Sequence, residues 1–103
     1  MIKISQTPLD EEIKCALNRL NRIAIRTPLV ENDCLNTILG GRLLIKAECL
    51  QHTGSFKYRG AFNCISNLSR TDQAAGIICY SSGNHAQAVA ATANHLGMDA
   101  VVV

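Results

Sequence analysis

Apolar residues recur at helical spacing near the start of the chain, at Ile13, Leu17, Leu20 and Ala24. This period predicts an amphipathic helix over residues 9–25. Acids at residues 10–12 support its start, because the positive end of a helix dipole favours negative charge. Pro28 ends the helix, since the residue before a proline avoids helical dihedrals. Leu29 and Val30 then begin a predicted short strand.

After a Gly-Gly turn at residues 39–42, the chain alternates between apolar segments and helical patterns. Strands are predicted over residues 43–48, 77–80 and 99–103, and helices over residues 56–68 and 84–96. Ser55 is expected to cap the first of these helices, and Gly97 to stop the second. Such alternation favours parallel strands joined by right-handed helical crossovers. The predicted fold class is therefore α/β, a parallel-sheet β-α-β-α-β unit preceded by an N-terminal helix.

Composition excludes several classes of protein. The chain has 103 residues, enough for one small domain, and a net charge of +2 from ten Lys or Arg against eight Asp or Glu. Because the basic residues form no run, no nucleic-acid partner is expected. No apolar stretch approaches the roughly 20 residues of a membrane span, and the first residues lack the apolar segment of a signal peptide. We therefore expect a cytoplasmic protein without a membrane partner.

Five cysteines are spread along the chain, at Cys15, Cys34, Cys49, Cys64 and Cys79. None belongs to a Cys-x-x-Cys pair, so no metal site is expected from them. We interpret them as small buried hydrophobic residues in a reducing compartment. The predicted strand at residues 99–103 is apolar and β-branched, and such a strand expects cover on both faces. The chain is therefore predicted to be a truncated piece of a larger fold.

Two polar segments follow predicted strands and open predicted helices. The first is Thr-Gly-Ser-Phe-Lys-Tyr-Arg-Gly-Ala at residues 53–61, and the second is Ser-Ser-Gly-Asn-His-Ala-Gln-Ala at residues 81–88. Ligands bind at the carboxyl ends of strands in open α/β sheets, where helix N-termini offer unpaired N–H groups. Lys57 lies in a first helical turn, where the positive dipole end favours a neutral amine. That form suits Schiff-base chemistry with an aldehyde, and an exposed surface lysine is the alternative.

The second segment concentrates Ser81, Ser82, Asn84 and His85 in apolar surroundings. A local interpretation is that Ser82 or Gly83 caps the following helix. A functional interpretation is that hydroxyl and N–H groups hold a carboxylate while Asn84 donates to a ligand oxygen. His85 is either a general base or a surface histidine, and the local pattern leaves both interpretations open.

The two segments together resemble a known family. Residues 55–61 look like the cofactor-lysine motif of the pyridoxal-phosphate enzymes of the threonine dehydratase and serine racemase group, which have fold type II. Residues 81–87 look like the asparagine loop of that group, and residues 27–29 and 43–51 match its usual lead-in. The resemblance covers nearly the whole chain. It extends only to the N-terminal portion of such an enzyme, and the glycine-rich loop for the cofactor phosphate is missing.

The resemblance implies a role for each candidate residue. Lys57 would hold pyridoxal 5'-phosphate as a Schiff base and remove the α-proton of the substrate, and Phe56 would pack beside the cofactor ring. Asn84 would donate a hydrogen bond to the 3' oxygen of that ring. Ser82 would correspond to the acid/base serine on the opposite face in racemases. The substrate carboxylate would be surrounded by Ser81, Ser82, Gly83, Asn84 and His85.

The resemblance implies two alternative functions, and the expected truncation adds a third that is compatible with the first, because the short chain is expected to be inactive alone. The first is a lyase that removes the β-hydroxyl of a small hydroxy amino acid, threonine or serine, and releases a 2-oxo acid and ammonia. The second is a serine racemase or hydroxyaspartate dehydratase, which serine at both 81 and 82 slightly favours. The third is a non-catalytic chain that self-associates or needs a companion segment. Residues 1–42 would belong to the large domain, and residues 43–103 would form the small-domain portion, within a homo-oligomer.

Overall fold

The computed structural model describes residues 10–103. Five α-helices and four short strands lie within that range, in the order α1-β1-α2-β2-α3-α4-β3-α5-β4. The helices are α1 (Asp10–Leu20), α2 (Asp33–Leu39), α3 (Lys57–Ile65), α4 (Arg70–Ala75) and α5 (Asn84–Leu96). The strands are β1 (Leu29–Glu31), β2 (Leu44–Lys46), β3 (Ile77–Cys79) and β4 (Ala100–Val102). The α/β class with an N-terminal helix is confirmed.

The first helix is shorter than its apolar pattern predicts. The predicted start at residue 9 lies outside the described residues, and α1 ends at Leu20 rather than at residue 25. The chain turns there because Arg22 adopts a φ of 62°, which is left-handed backbone. Leu20 and Ile23 nevertheless pack against the core. The apolar period therefore continues through residues that are no longer helical.

The strands form two separate pairs among the described residues. β3 and β4 run parallel, with Ile78 opposite Val101, and α5 connects them as predicted. β2 does not join this sheet, because it pairs antiparallel with β1, and Val30 lies opposite Ile45. The prediction of one parallel sheet with three strands is wrong at this point. Alternation of apolar residues identifies a strand but carries no information about which strand it pairs with. Here β2 pairs with β1, which is nearer to it in the sequence than β3.

Two short helices, α2 and α4, were not predicted. The N-cap of α4 is Ser69, whose hydroxyl accepts the Asp72 N–H at 3.1 Å and donates to the Asp72 carboxylate at 2.7 Å. α4 ends at Gly76, where φ is 83° and a Cβ would lie 3.0 Å from the Asp99 carbonyl oxygen. Only glycine fits this close approach at the entry to β3. Neither helix buries a side chain, so neither has the apolar period that predicts a helix. The sequence shows only the residues that cap them.

The core of the described residues is the packing of α3 against α5. The buried apolar side chains are Tyr58, Ala61, Phe62, Ile65, Ala88, Val89 and Ala93. Burying aromatic and aliphatic side chains of this kind is the main favourable contribution to folding. Ala88 is fully buried, since small side chains let the two helices approach closely. The N-terminal ends of α3 and α5 are thereby held beside one another.

Much apolar surface remains outside this core. Four of the five cysteines are exposed and Cys79 is partly buried, so the prediction that all five are buried is wrong. The strands β3 and β4 carry exposed apolar residues, including Ile78 and Val101. None of the helices within residues 10–103 combines the length and the apolar character needed to cross a membrane.

Candidate active site

An open pocket of about 500 Å³ lies between α3, β3 and the start of α5. Phe56 and Lys57 line it from the start of α3, and His85 lines it from the first turn of α5. Apolar side chains of α3 and β3, including Ile65 and Ile77, line much of the remainder. Apolar pockets with a few converging polar groups are typical of small-molecule sites.

Lys57 is the first residue of α3, and its side chain is exposed. Its Nζ lies 5.2 Å from the centroid of the Phe56 ring. Within residues 10–103 the Lys57 ammonium takes part in no ion pair, whereas the Lys46 ammonium lies 3.8 Å from the Glu48 carboxylate. Lys57 is therefore the lysine of this region whose amine is available to a ligand in the pocket.

The predicted cap of α3 is displaced by one residue. Phe56 occupies the N-cap position and offers no side-chain hydrogen bond. Ser55 is buried, and its hydroxyl accepts the Lys57 N–H at 3.4 Å. Ser55 therefore contributes a long hydrogen bond to the first turn without being the cap.

The second polar segment opens α5. Gly83 is the N-cap residue of α5, which confirms the Gly83 alternative and not Ser82, and it supplies no side-chain hydrogen bond to the helix. The Gly83 N–H donates to the Ser81 hydroxyl at 3.3 Å, and the Ser81 N–H donates to the Val103 carbonyl at 3.1 Å. Asn84 is the first residue of α5, and its side chain is exposed. The N–H groups of this first turn suit an anion.

The structure unites only part of the predicted site. Phe56, Lys57 and His85 line one pocket. The remaining predicted residues lie in the turn immediately before His85 and do not line that pocket: Ser81, Ser82, Gly83 and Asn84. The predicted site residues therefore fall into two adjoining places: the pocket that Lys57 lines and the N-terminus of α5.

An ion pair behind Lys57 was missed by the sequence analysis. Arg59 donates from Nε and Nη2 to the two Glu48 carboxylate oxygens, each at 2.8 Å. The Thr27 hydroxyl donates to the same carboxylate. These hydrogen bonds, above all those from Arg59, lower the pKa of Glu48 from its ordinary value of 4.5 to about 2. The Glu48 side chain is only 14% exposed, which shields the pair from solvent.

Gln51 ties the loop before α3 to the segment that leaves α1. Its side-chain oxygen accepts the Ile25 N–H, and its side-chain nitrogen donates to the Ile25 carbonyl, both at 2.9 Å. Gln51 is buried, so both hydrogen bonds are protected from water. The segments that match the family, residues 27–29 and 43–51, contain Thr27, Glu48 and Gln51. That match was the only indication in the sequence that these three residues are important.

The loop between Gln51 and Ser55 is strained. Thr53 has a φ of 60° and Gly54 a φ of 70°, so two consecutive residues are left-handed. A β-branched residue rarely adopts this conformation. The Thr53 hydroxyl is also buried without a hydrogen-bond partner among the described residues. Such strain is common at functional sites, and here it lies in the loop immediately before α3.

Comparison with known proteins identifies what this arrangement is similar to. Residues 20–103 match the family of pyridoxal-phosphate dependent enzymes. The chain is 46% identical over 88 residues to an L-threo-3-hydroxyaspartate ammonia-lyase of Pseudomonas sp, covering 85% of this chain and 28% of that protein. It is 43% identical over 93 residues to the L-threonine ammonia-lyase of Thermotoga maritima, covering 90% of this chain and 23% of that enzyme.

Solved structures agree with this result. The serine racemase from Dictyostelium discoideum has a TM-score of 0.85 and 37% identity, over 89% of this chain and 30% of the racemase. The threonine deaminase of T.th. has a TM-score of 0.79 and 44% identity, over 91% of this chain and 33% of the deaminase. The chain thus spans about a quarter of the length of the curated relatives it matches, which agrees with the expected incomplete portion. With four fifths of its residues in the match, this chain belongs to the family of pyridoxal-phosphate dependent enzymes.

Proposed function

We propose that this chain carries the cofactor lysine of an ammonia-lyase acting on a small hydroxy amino acid, threonine or serine, with a 2-oxo acid and ammonia as products. The observation that carries the proposal is the exposed Lys57 amine at a pocket of about 500 Å³, without an ion-pair partner in residues 10–103. Relatives that are named ammonia-lyases support the reaction class. Because the chain spans about a quarter of the length of these relatives, the activity of the whole protein is proposed as well.

The residues around Lys57 fit pyridoxal phosphate. A primary amine is the group that condenses with the cofactor's aldehyde, and the exposed Phe56 ring beside it offers an apolar surface. A Cβ placed on Gly83 would meet no atom within 4 Å, so the turn before α5 leaves space for a ligand. When bound, the cofactor supplies an electron sink for negative charge on the substrate's α-carbon.

Each candidate residue receives a role in this proposal. Lys57 binds the cofactor and moves the α-proton of the substrate, while Phe56 packs beside the cofactor ring. Asn84 donates a hydrogen bond to the ring oxygen. The N-terminus of α5 attracts the substrate carboxylate, because its N–H groups are the positive end of the helix dipole. The groups proposed to surround that carboxylate are Ser81, Ser82, Gly83, Asn84 and His85.

A racemase is the second candidate. Serine racemases from maize and from Dictyostelium discoideum have TM-scores of 0.84 and 0.85 with this chain, so its fold is compatible with this alternative. The Ser82 hydroxyl is exposed beside the start of α5 and is the proposed acid/base for this alternative. The two reactions share proton removal at the α-carbon and differ in whether the β-hydroxyl leaves, so product analysis separates them.

We also propose how the chain divides between domains. Residues 1–42 are assigned to the large domain and residues 43–103 to the small-domain portion, and the β1–β2 pair crosses this boundary. A second copy or a companion segment is proposed to complete the site. Because free exposed cysteines persist in a reducing compartment, we also propose a cytoplasmic location.

Cofactor capture tests the assignment of Lys57. The protein is mixed with pyridoxal phosphate and reduced with borohydride, which fixes the cofactor to the amine it has reached, and the labelled lysine is identified by mass spectrometry. We expect the label at Lys57 in preference to Lys14 and Lys46, and its loss in Lys57→Ala but not in the matched control Lys46→Ala. Label distributed evenly over the lysines would contradict the proposal.

A chimera tests the reaction. Residues 20–103 replace the matching segment of the Thermotoga maritima L-threonine ammonia-lyase, and the products from threonine and serine are measured. We expect a 2-oxo acid, and no oxo acid from the same chimera carrying Lys57→Ala. D-serine without oxo acid would favour the racemase. A folded chimera that forms neither product would contradict both candidates.

A further inference from the structure

The helix α3 presents Lys57 and Arg59 in nearly opposite directions. Lys57 lies on the face of α3 that lines the pocket, together with residues three, four, seven and eight positions later. Arg59 is about 200° around the helix axis from Lys57, because each residue advances by about 100°. Its side chain therefore points away from the pocket and meets Glu48 on the other side of the helix.

Arg59 is held at three points. Nε and Nη2 each donate to a Glu48 carboxylate oxygen at 2.8 Å, and Nη2 also donates to the Ile25 carbonyl at 2.8 Å. Paired hydrogen bonds between a guanidinium and a carboxylate fix a direction as well as a distance. Glu48 in turn accepts the Thr27 hydroxyl, so the link reaches the backbone segment before β1. This arrangement restrains the first turn of α3 against rotation.

Local side-chain hydrogen bonds hold this turn weakly. The N-cap residue Phe56 supplies no side-chain hydrogen bond, and the bond from the Lys57 N–H to the Ser55 hydroxyl is long, at 3.4 Å. An uncapped helix start frays easily, since its first N–H groups lack partners. The ion pair between Glu48 and Arg59 is thus the strongest polar restraint described for the turn that carries Lys57.

We propose that Glu48 and Arg59 are positioning residues for Lys57, whose ion pair sets the rotation of the start of α3 and so places the Lys57 amine at the pocket. The inference rests on the proposed function, because the amine is taken to bind the cofactor. Neither residue lines the pocket, and both act through the helix.

Arg59→Ala and Arg59→Lys test the inference. Lysine keeps the charge but cannot reproduce the planar fork, so both variants are expected to lose positioning. The matched control is Arg42→Ala, which removes a second paired contact, from Arg42 to Glu31 at 2.8 and 2.7 Å, at the β1–β2 pair. The ratio of cofactor captured at Lys57 to that at Lys14 is measured by reduction and mass spectrometry, with circular dichroism to verify the fold.

We expect this ratio to fall by roughly tenfold or more in both Arg59 variants, as displacements of about 1 Å produce losses of this order, and to stay unchanged in Arg42→Ala. A wild-type ratio in either Arg59 variant would overturn the inference. If circular dichroism shows that an Arg59 variant is unfolded, Glu48→Gln decides by the same criterion. Glutamine keeps the shape and one acceptor oxygen but loses the charge, so an intermediate ratio is expected.

Amide hydrogen exchange separates failure of this inference from failure of the proposed function. If the wild-type protein captures no cofactor at Lys57, the proposed function fails, and exchange of the α3 amides that donate to carbonyls of its first turn decides the inference. Exchange that is roughly tenfold faster there in both Arg59 variants, with α5 unchanged, supports positioning by the ion pair. Exchange at the wild-type rate overturns it.

Discussion

The Lys57 ammonium nitrogen lies 5.2 Å from the centroid of the neighbouring Phe56 ring. Both side chains are exposed at the mouth of the same pocket, so the ring is not part of the core. A cation at this distance is attracted by the ring's quadrupole, by about 0.5–1 kcal/mol at an exposed site. The Phe56 ring therefore favours one direction of the Lys57 side chain.

Replacing Phe56 tests this contact. In Phe56→Leu we expect cofactor capture at Lys57 to fall by roughly two- to tenfold, because leucine lacks the flat aromatic face proposed to pack beside the cofactor ring. The free energy of unfolding is expected to change by less than about 0.5 kcal/mol, because the ring is exposed. Phe56→Tyr keeps an aromatic ring and serves as the control. Wild-type capture in Phe56→Leu would exclude a role for the ring.

Asn84→Ala is expected to separate binding from stability. Gly83, not Asn84, is the N-cap of α5, so the free energy of unfolding is expected to change by less than about 0.5 kcal/mol. A lost hydrogen bond to a charged ring oxygen is expected to weaken cofactor binding by about 1.5–3 kcal/mol. Titration of the cofactor's absorbance measures this, with Asn94→Ala near the far end of α5 as the control. Unchanged affinity in Asn84→Ala would contradict the assigned role.

The Glu48–Arg59 pair predicts a loss of stability in acid. The pKa of Glu48 is about 2 in the folded chain, against an ordinary value of 4.5, mainly because Arg59 donates to its carboxylate. Between these values the unfolded chain binds the proton more readily, so the free energy of unfolding falls as the pH decreases from about 4.5 towards 2. The full contribution is present above pH 4.5 and amounts to about 3 kcal/mol at most.

Urea unfolding followed by circular dichroism, from about pH 6 to about pH 2.5, measures this contribution as the difference between wild type and Glu48→Gln. We expect the difference to shrink as the pH falls through this window. Glu31→Gln is the control, since the Glu31–Arg42 pair is exposed and contributes little. A difference that does not vary with pH would show that the ion pair does not stabilise the fold.

Exposed apolar residues on β3 predict self-association. Ile78 is 76% exposed, and Tyr80 immediately after the strand is 87% exposed. Apolar patches and unpaired strand edges favour association between copies. We expect sedimentation velocity to show species heavier than the 11.1 kDa monomer, and Ile78→Lys to reduce them. Ile38→Lys is the matched control, because Ile38 is 78% exposed on α2. A monomer with a cooperative melt would contradict this prediction.

The sequence by itself determined the elements that bury a periodic face and the chemistry at their ends. α5 has the predicted bounds, and β3 and β4 pair in parallel around it, because apolar periodicity and a C-terminal glycine are local signals. α3 begins one residue later than predicted, since Phe56 rather than Ser55 occupies the N-cap. The motifs around Lys57 and Asn84 also sufficed to identify the family, as residue types at fixed offsets do not depend on packing.

Only the tertiary structure decided which distant residues meet. β2 pairs with β1, and Arg59 contacts Glu48 and the carbonyl of Ile25, which lies 34 positions earlier. No local period encodes such contacts, because they depend on how whole elements pack. For the same reason His85, but none of residues 81–84, lines the pocket with Lys57. Local pattern determines what an element is, whereas the partners of its polar groups follow from the free energy of the entire fold.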